Sequence, residues 1–487
     1  MRLGKQTIVF FGSQVGSSIA GFLATWYIAN QLGSTILGEY TVVAALLFWL
    51  NVPASSVGTA MTKRISEGDA PKEFLAAGHL LNVALTAVLV VAIVALTDVV
   101  NQLVNHQVAL EVAALVAVQG VFDVVVSSLQ GQRQVGKSGL LKTFERTLRS
   151  AFHIVVVFVG AAFVWLVLGH AAAVAIAAIV GVYFHREGPA WPTVEHVRRL
   201  VNYGMYGWLG TMKSRAFAWM DTLVLGLFAA YSLGGLVGVT HSQIGIYEVA
   251  WSLASVLGLV SVSISSTLFP ALSELGSKED YSKVRHLVDE GLAFSGVFVI
   301  PGLFGAVVVG SDLLVVYRPE FAQGATILVV LILARLLSGY AAQFLNAINA
   351  IDRPDVTFRI NLAFVLLNAG LNLGLVYAFG WYGAAVATVV STAVSVVISG
   401  YALSRLIDSL SIPLAEIGYQ TAAAVVMFVV TRLLDPIVFE GVSSAGLSPA
   451  RPISAVGIVV VGAGVYALAL LGLSGRVRTK ARGLTPI

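Results

Sequence analysis

The chain has 487 residues, of which 57% are hydrophobic and only 11% charged, with a net charge of +4 and a mean hydropathy of +0.88. A soluble globular domain carries roughly 25% charged residues, so this composition excludes an ordinary soluble enzyme and makes the bilayer the solvent. The basic excess belongs to loops on one membrane face rather than to nucleic-acid binding, and the lack of cysteine excludes disulfides and thiolate metal sites.

The first thirty residues start basic and turn apolar. No small-residue cleavage site follows closely, so they read as a spanning helix rather than a signal peptide. A span needs about 20 mostly apolar residues. Fourteen stretches qualify: 7–29, 37–58, 74–97, 109–129, 149–168, 169–185, 202–230, 244–268, 289–309, 323–347, 357–379, 382–404, 413–434 and 453–474. The fifth and sixth meet at a tight turn expected at Gly169. The run "PTVEHVRRLVNYG" from Pro192 reads as an interfacial helix feeding the seventh span. With an inside N-terminus, 23 of the 29 Lys and Arg residues fall on the cytoplasmic side. Only Arg318, Arg432 and Arg451 fall outside, and Lys213, Arg215 and Arg335 fall within helices. That asymmetry orients a multi-pass protein of the cell membrane with both termini cytoplasmic.

An internal repeat organises the spans. "LGEYTVVAALL" at Leu37 returns as "IGIYEVAWSLA" at Ile244, pairing Gly38 and Tyr40 with Gly245 and Tyr247. Each helix is followed by a polar stretch, "KRISEGD" at Lys63 and "SELGSKED" at Ser273. A fainter echo links "SSLQGQRQVGK" at Ser127 with "QFLNAINAIDR" at Gln343. The expectation is an all-α polytopic membrane protein of about 14 transmembrane helices. It has two six-helix lobes, 1–190 and 191–408, and two further C-terminal helices with a tail in 409–487. Two packed lobes with a cavity between them are a transporter architecture.

The "D-x-x-x-L-G" of Asp221–Gly226, "IGIYEVAWSL", the helix ending "STLFPALSEL" around Pro270, and "LQGQRQVGK" after the fourth span carry a family likeness. With the six-plus-six-plus-two arrangement, the chain resembles the multidrug/oligosaccharidyl-lipid/polysaccharide exporter superfamily, in its polysaccharide-biosynthesis (oligosaccharide flippase) branch. The stretch 231–243 is longer than the usual turn of that family. The resemblance implies movement of lipid-linked sugars by alternating access.

Charges inside the spans locate the candidate site. Each costs about 2.5–3.5 kcal/mol at the bilayer centre. Lys213 lies about eleven residues into its span, too deep to snorkel easily. Lys213, Arg215 and Arg335 are expected to line a central cavity, with Gln119, Asn368 and Asn372 as polar partners. Arg335 falls at the repeat position of Gln119. Cations in low dielectric suit the phosphate of a polyprenyl phosphate or pyrophosphate sugar. Asp221 and Asp123 are candidates for a coupling cation, Na+ or H+. Asn361, Asn368 and Asn372 share one helix face, where bonding between helices explains them as well as cavity lining does. Glu39 and Glu248 lie near outer helix ends, where solvation explains them about as well as function does.

A cation-coupled multidrug antiporter of the same superfamily is the alternative, but it calls for a net acidic cavity. A membrane glycosyltransferase or ligase is a lesser one. The sequence has no D-x-D, H-E-x-x-H or G-x-x-x-x-G-K-[ST] motif and no large loop. His153, His170 and His185 are scattered and read as packed or interfacial. The expectation is a monomeric transporter rather than an enzyme, without cofactor, metal or nucleic acid, whose partners are membrane lipids and a lipid-linked oligosaccharide.

Overall fold

A computed structural model describes residues 2–184, 188, 190–231, 236–444 and 450–484; of these, the side chains of 2–15, 17, 18, 205–211, 450 and 481–484 are not described. The described chain is helical. In order the helices are α1 (Arg2–Leu50), α2 (Val52–Glu67), α3 (Pro71–Ala95), α4 (Thr97–Val104), α5 (Ala109–Gly131), α6 (Val135–Phe158), α7 (Val164–Val182) and α8 (Val194–Tyr231). They continue with α9 (His241–Ser277), α10 (Tyr281–Ser295), α11 (Val299–Val315), α12 (Ala325–Ala350), α13 (Pro354–Phe379), α14 (Trp381–Leu406), α15 (Leu414–Ser444), α16 (Ala450–Leu473) and α17 (Gly475–Leu484). By contact they form two compact units, Met1–Gly245 and Ile246–Ile487.

Eleven helical stretches among the described residues are long and apolar enough to cross a membrane. Their outer faces are apolar: Val88, Val91, Leu366, Leu433 and Leu468 are all exposed, as lipid-facing side chains are when hydrocarbon is the solvent. Helices α6 and α8, at 24 and 38 residues, are also long enough but are more polar. Both carry the charges that matter below.

Breaks between helices have local causes. Gly33, at φ 87° and ψ 177°, interrupts α1 where the first two predicted spans meet, a conformation open to glycine at little cost. The first predicted span, 7–29, lies partly outside the described side chains. The second predicted span, 37–58, is divided at Asn51, because Pro53 sits at the start of α2 and cannot donate to the preceding turn. The ninth, 289–309, is divided at 296–298, where Pro301 likewise has no N–H for the carbonyl of Val297.

The turn expected at Gly169 lies elsewhere. The chain turns at 159–163, with Gly160 at φ 67°, and Gly169 is inside α7. A Cβ at Gly169 would sit 3.2 Å from the Cβ of Phe152, so this glycine serves close helix packing instead. Residues 135–148, expected in a loop, are the first half of α6. Helix α8 runs unbroken from the predicted interfacial stretch to Tyr231.

In the first unit, Met61 and Ile65 of α2, Phe74 of α3, Val124 of α5 and Leu200 of α8 form one buried cluster. Glycines set its spacing. A Cβ at Gly78 would collide with Met61, and one at Gly131 would lie 2.7 Å from Ile65. Contacts at the basic end hold the start of α8 against the α2–α3 corner. Ala190 N–H donates to the Lys72 carbonyl at 3.2 Å, and Lys63 lies 4.4 Å over the Tyr203 ring.

In the second unit, Leu272, Val284, Leu292, Phe344, Ile360 and Leu403 join α9, α10, α12, α13 and α14. Helices α11, α15 and α16 pack through Ile300, Met427 and Tyr466. The short basic α17 folds back on α10. Arg476 pairs with the buried Asp289 at 2.7 Å, and Lys480 pairs with Glu290 at 3.0 Å.

Candidate functional site

Helix α8 places Lys213, Arg215 and Asp221 along its middle, Lys213 and Arg215 half-buried and Asp221 buried. Arg215 donates to the Phe48 carbonyl and stands 5.6 Å from the Phe48 ring. That ring is stacked on Trp219 at 4.7 Å, one turn along α8 from Arg215. The aromatic pair thus braces the guanidinium from α1 and from its own helix, which is favourable for a cation leaving water. Arg215 is also electrostatically coupled to Asp123.

Asp123, on α5, is held from two sides. Gln119 Nε2, one turn earlier, donates to Oδ1 at 2.9 Å, and Asn51 Nδ2 donates to Oδ2. Asn51 is the residue at the α1–α2 break, so the broken helix supplies the ligand for the carboxylate. Gln119 was singled out from the repeat. Asn51 was not, although the adjoining Pro53 marks the break.

In the second unit, Arg335 on α12 lies 4.0 Å over the Trp251 ring. It donates to Ser255 Oγ, whose own hydroxyl donates to the Trp251 carbonyl at 2.6 Å. Gly258, next along the same face of α9, leaves room: a Cβ there would be 3.5 Å from Arg335 Cδ. Glu248 is half-buried and electrostatically coupled to Arg335, so it belongs to this cluster rather than to a solvated helix end. Asn368 and Asn372 are fully buried on α13. Asn368 Nδ2 reaches Thr388 and Ser391 of α14 at 3.4 and 3.5 Å, and Asn372 Nδ2 donates to the Asn368 carbonyl at 3.0 Å. Asn368 thus joins α13 to α14, and Asn372 bonds within its own helix.

Other polar clusters escaped the sequence. Glu39 is 2% exposed, not solvated: Asn105 Nδ2 and His106 Nε2 both reach its carboxylate at 2.8 Å. The loop after α4 folds back to cover it. His170 and His153, 2% and 4% exposed, are packed as expected, but His170 is part of a chain. Arg149 Nη1 lies 3.0 Å from His170 Nε2, and His170 Nδ1 lies 2.9 Å from the Tyr40 hydroxyl. A guanidinium only donates, so Nε2 accepts and Nδ1 carries the ring proton toward Tyr40. Arg149 also pairs with Glu145 at 3.4 Å. The signal in the sequence was the repeated Gly-x-Tyr that contains Tyr40. His185 lies outside the described residues. Among the described residues, no group of three or more His, Cys, Asp or Glu could hold a metal ion.

Comparison with known proteins gives these sites a context. Residues 3–276 match the family described as polysaccharide biosynthesis protein. The chain belongs to this family. It is 31% identical over 488 residues to "Probable flippase AglR" of Haloferax volcanii, covering 99% of this chain and 98% of that protein. It is 26% identical over 429 residues to "Probable low-salt glycan biosynthesis flippase Agl15" of the same organism, covering 88% and 89%. Its fold is that of "Lipid II flippase MurJ, inward closed conformation", with a TM-score of 0.79 at 14% identity over 95% of this chain and 98% of that one. A multidrug resistance MATE family transporter of the MOP superfamily, in an inward-facing conformation, shares the fold with a TM-score of 0.67 at 11% identity, over 81% and 96%. The polysaccharide biosynthesis family member therefore has the all-helical membrane architecture expected from its resemblance to the superfamily.

Proposed function

We propose that this protein is a flippase. It moves a lipid-linked oligosaccharide, carried on a polyprenyl phosphate or pyrophosphate, across the cell membrane by alternating access, for assembly of a surface glycan. The observation that carries this reading is the set of braced arginines within membrane helices: Arg215 on Phe48 and Trp219, Arg335 on Trp251. An unpaired phosphate cannot enter hydrocarbon. Guanidinium groups offer it paired, charge-assisted hydrogen bonds. Aromatic faces under each arginine keep the cation inside the membrane between substrates. Both Haloferax volcanii relatives are named as flippases, and the name of one places it in glycan biosynthesis, which supports the same reading.

Lys213 is a further cation available to the phosphate within the first unit. Gln119 orients Asp123, Asn368 holds α13 against α14, and Asn372 adds a polar group on the same face of α13. Asp123 and Asp221 offer carboxylates to a coupling cation, Na+ or H+. The protein works as a monomer with both termini in the cytoplasm and performs no covalent chemistry.

The test is Arg335→Gln and Lys213→Gln, singly and together, in cells that need this protein for a surface glycan, with membrane abundance measured alongside. Glycan lost at normal abundance is the expected result. Full export by the double variant removes these cations from the substrate site, and an unchanged surface glycan in cells lacking the protein refutes the flippase reading. Lost abundance in both singles assigns the cations to folding.

A further inference from the structure

A second polar site lies in the first unit, away from the cations. A cavity of about 550 Å3 is lined by Asp98, Gln102, Asn105, His106, Gln107 and His241. Its volume falls within the roughly 300–1,000 Å3 of ligand sites. Connectivity fixes its level in the membrane. It sits where α3 and α8 end, and the beginnings of these helices lie with Lys63, Arg64 and Arg199 at the basic end. The cavity is thus at the opposite, non-basic end of the unit.

We infer that this cavity is a binding subsite for the glycan part of the substrate, on the side where it is delivered. The inference rests on the flippase reading only for where the glycan comes from.

The lining excludes other classes of ligand. It contains no lysine or arginine, and Asp98 adds negative charge, so it repels phosphate. No metal-binding cluster is present among the described residues. What remains is four carboxamides, Asn101 among them, and two imidazoles around one carboxylate. Such groups pair donors with acceptors, which matches sugar hydroxyls that do both. The tautomers follow from partners already in place. His241 Nε2 faces the Leu103 carbonyl at 3.1 Å and must donate, which leaves its Nδ1 as an acceptor.

The wall is rigid before any ligand arrives. Glu39 holds Asn105 and His106 together, and the His106 ring is stacked on Phe163 at 4.0 Å and 9°. Asn101, a buried part of the same lining, accepts from the N–H groups of Val108 and Ala109 at 2.8 and 2.9 Å and so caps α5. Gln102 reaches across to the Ala230 carbonyl at 3.3 Å, bridging α4 and α8. A wall fixed in this way loses little entropy on binding. The two buried anchors, Glu39 and Asn101, are spent on structure, whereas Asp98, Gln102 and Gln107 are exposed.

The experiment uses the full chain purified in nanodiscs. Binding of three free sugars without lipid or phosphate is measured by saturation-transfer NMR: a gluco-oligosaccharide, an N-acetylglucosamine oligomer and a galacturonate oligomer. Binding of a polyprenyl phosphate is measured on the same samples. The neutral sugars should bind better than the galacturonate. Asp98→Leu and Gln102→Leu, both at exposed positions, should each weaken neutral-sugar binding about three- to tenfold, as expected for one lost hydrogen bond. Polyprenyl phosphate binding should not change in either variant. Equal sugar binding by wild type and both variants overturns the subsite. So does a wild type that binds polyprenyl phosphate but no sugar, and that outcome leaves the flippase reading standing. Variant-sensitive sugar binding together with an unchanged surface glycan in cells lacking the protein sinks the flippase reading and leaves the subsite.

Discussion

Gly38 of α1 and Gly245 at the start of α9 lie back to back: a Cβ on Gly38 would stand 2.9 Å from the Gly245 nitrogen, and one on Gly245 would stand 2.9 Å from the Gly38 nitrogen. The same additions would overlap the carbonyl oxygens of His241 and Ser34. Beside the crossing, the hydroxyls of Ser34 and Ser242 meet at 2.7 Å. Two helices in lipid gain mainly by close packing, and small residues allow the backbones to approach.

Substitution here meets backbone, not a movable side chain. Gly38→Ala should destabilise the protein by at least the ~1–3 kcal/mol typical of overpacking. Gly245→Ala should do the same. Once either methyl has forced the helices apart, the second has less to disturb. The double variant should therefore cost less than the sum of the singles, by more than about 0.5 kcal/mol. Thermal unfolding in detergent reads all three, and strict additivity would show that the two glycines do not share one crossing.

Asp123 stands on two amide donors, Asn51 and Gln119. Asp123→Ala strands both and should cost about 1–3 kcal/mol. Asp123→Asn retains one acceptor and should cost less. It also removes the negative partner of Arg215, so adding Arg215→Gln should restore part of the lost abundance. Equal effects of Asp123→Ala and Asp123→Asn would mean that these hydrogen bonds contribute little to stability.

Outside the spans, Asp280 gives a pH dependence of known sign. It caps α10 by accepting from Lys283 N–H at 3.2 Å and pairs with Lys283 Nζ at 2.8 Å. The hydrogen bond from Lys283 holds its carboxyl below the ordinary carboxylate range, and that from Ser282 adds to this. A carboxyl lowered in the folded state contributes stability above its unfolded pKa and loses it as pH falls through the folded value. The unfolding midpoint of wild type should therefore decline on acidification below the usual carboxylate range more than that of Asp280→Asn. Parallel pH profiles for the two proteins would remove Asp280 from the acid response.

The placement of lysine and arginine predicts an orientation. A reporter fused after residue 487 should score cytoplasmic, and one inserted between α15 and α16 should score outside. The reverse pair of results would invert the map and place the polar cavity around Asp98 on the cytoplasmic side.

The amino-acid sequence by itself determined that this is a helical membrane protein. That property is a sum over residues: windows of apolar side chains decide it whatever their partners, and the helix must satisfy its own backbone in lipid. The sequence also marked Lys213, Arg215 and Arg335, because a charge inside an apolar run is conspicuous without any structure. It marked Gly38 and Gly245 through the repeat. Only the tertiary structure decided what those residues touch. Composition could not distinguish the glycine at the turn, Gly160, from the packed Gly169, since both are glycines between apolar runs and only backbone dihedrals separate them. For Glu39 the sequence left a solvated helix end and a functional group equally open, because its partners, Asn105 and His106, are 66 and 67 residues away. The same holds for Asn51 with Asp123 and for Arg149 with His170. Hydrogen bonds between distant helices depend on how the helices are docked, and hydropathy carries no record of docking.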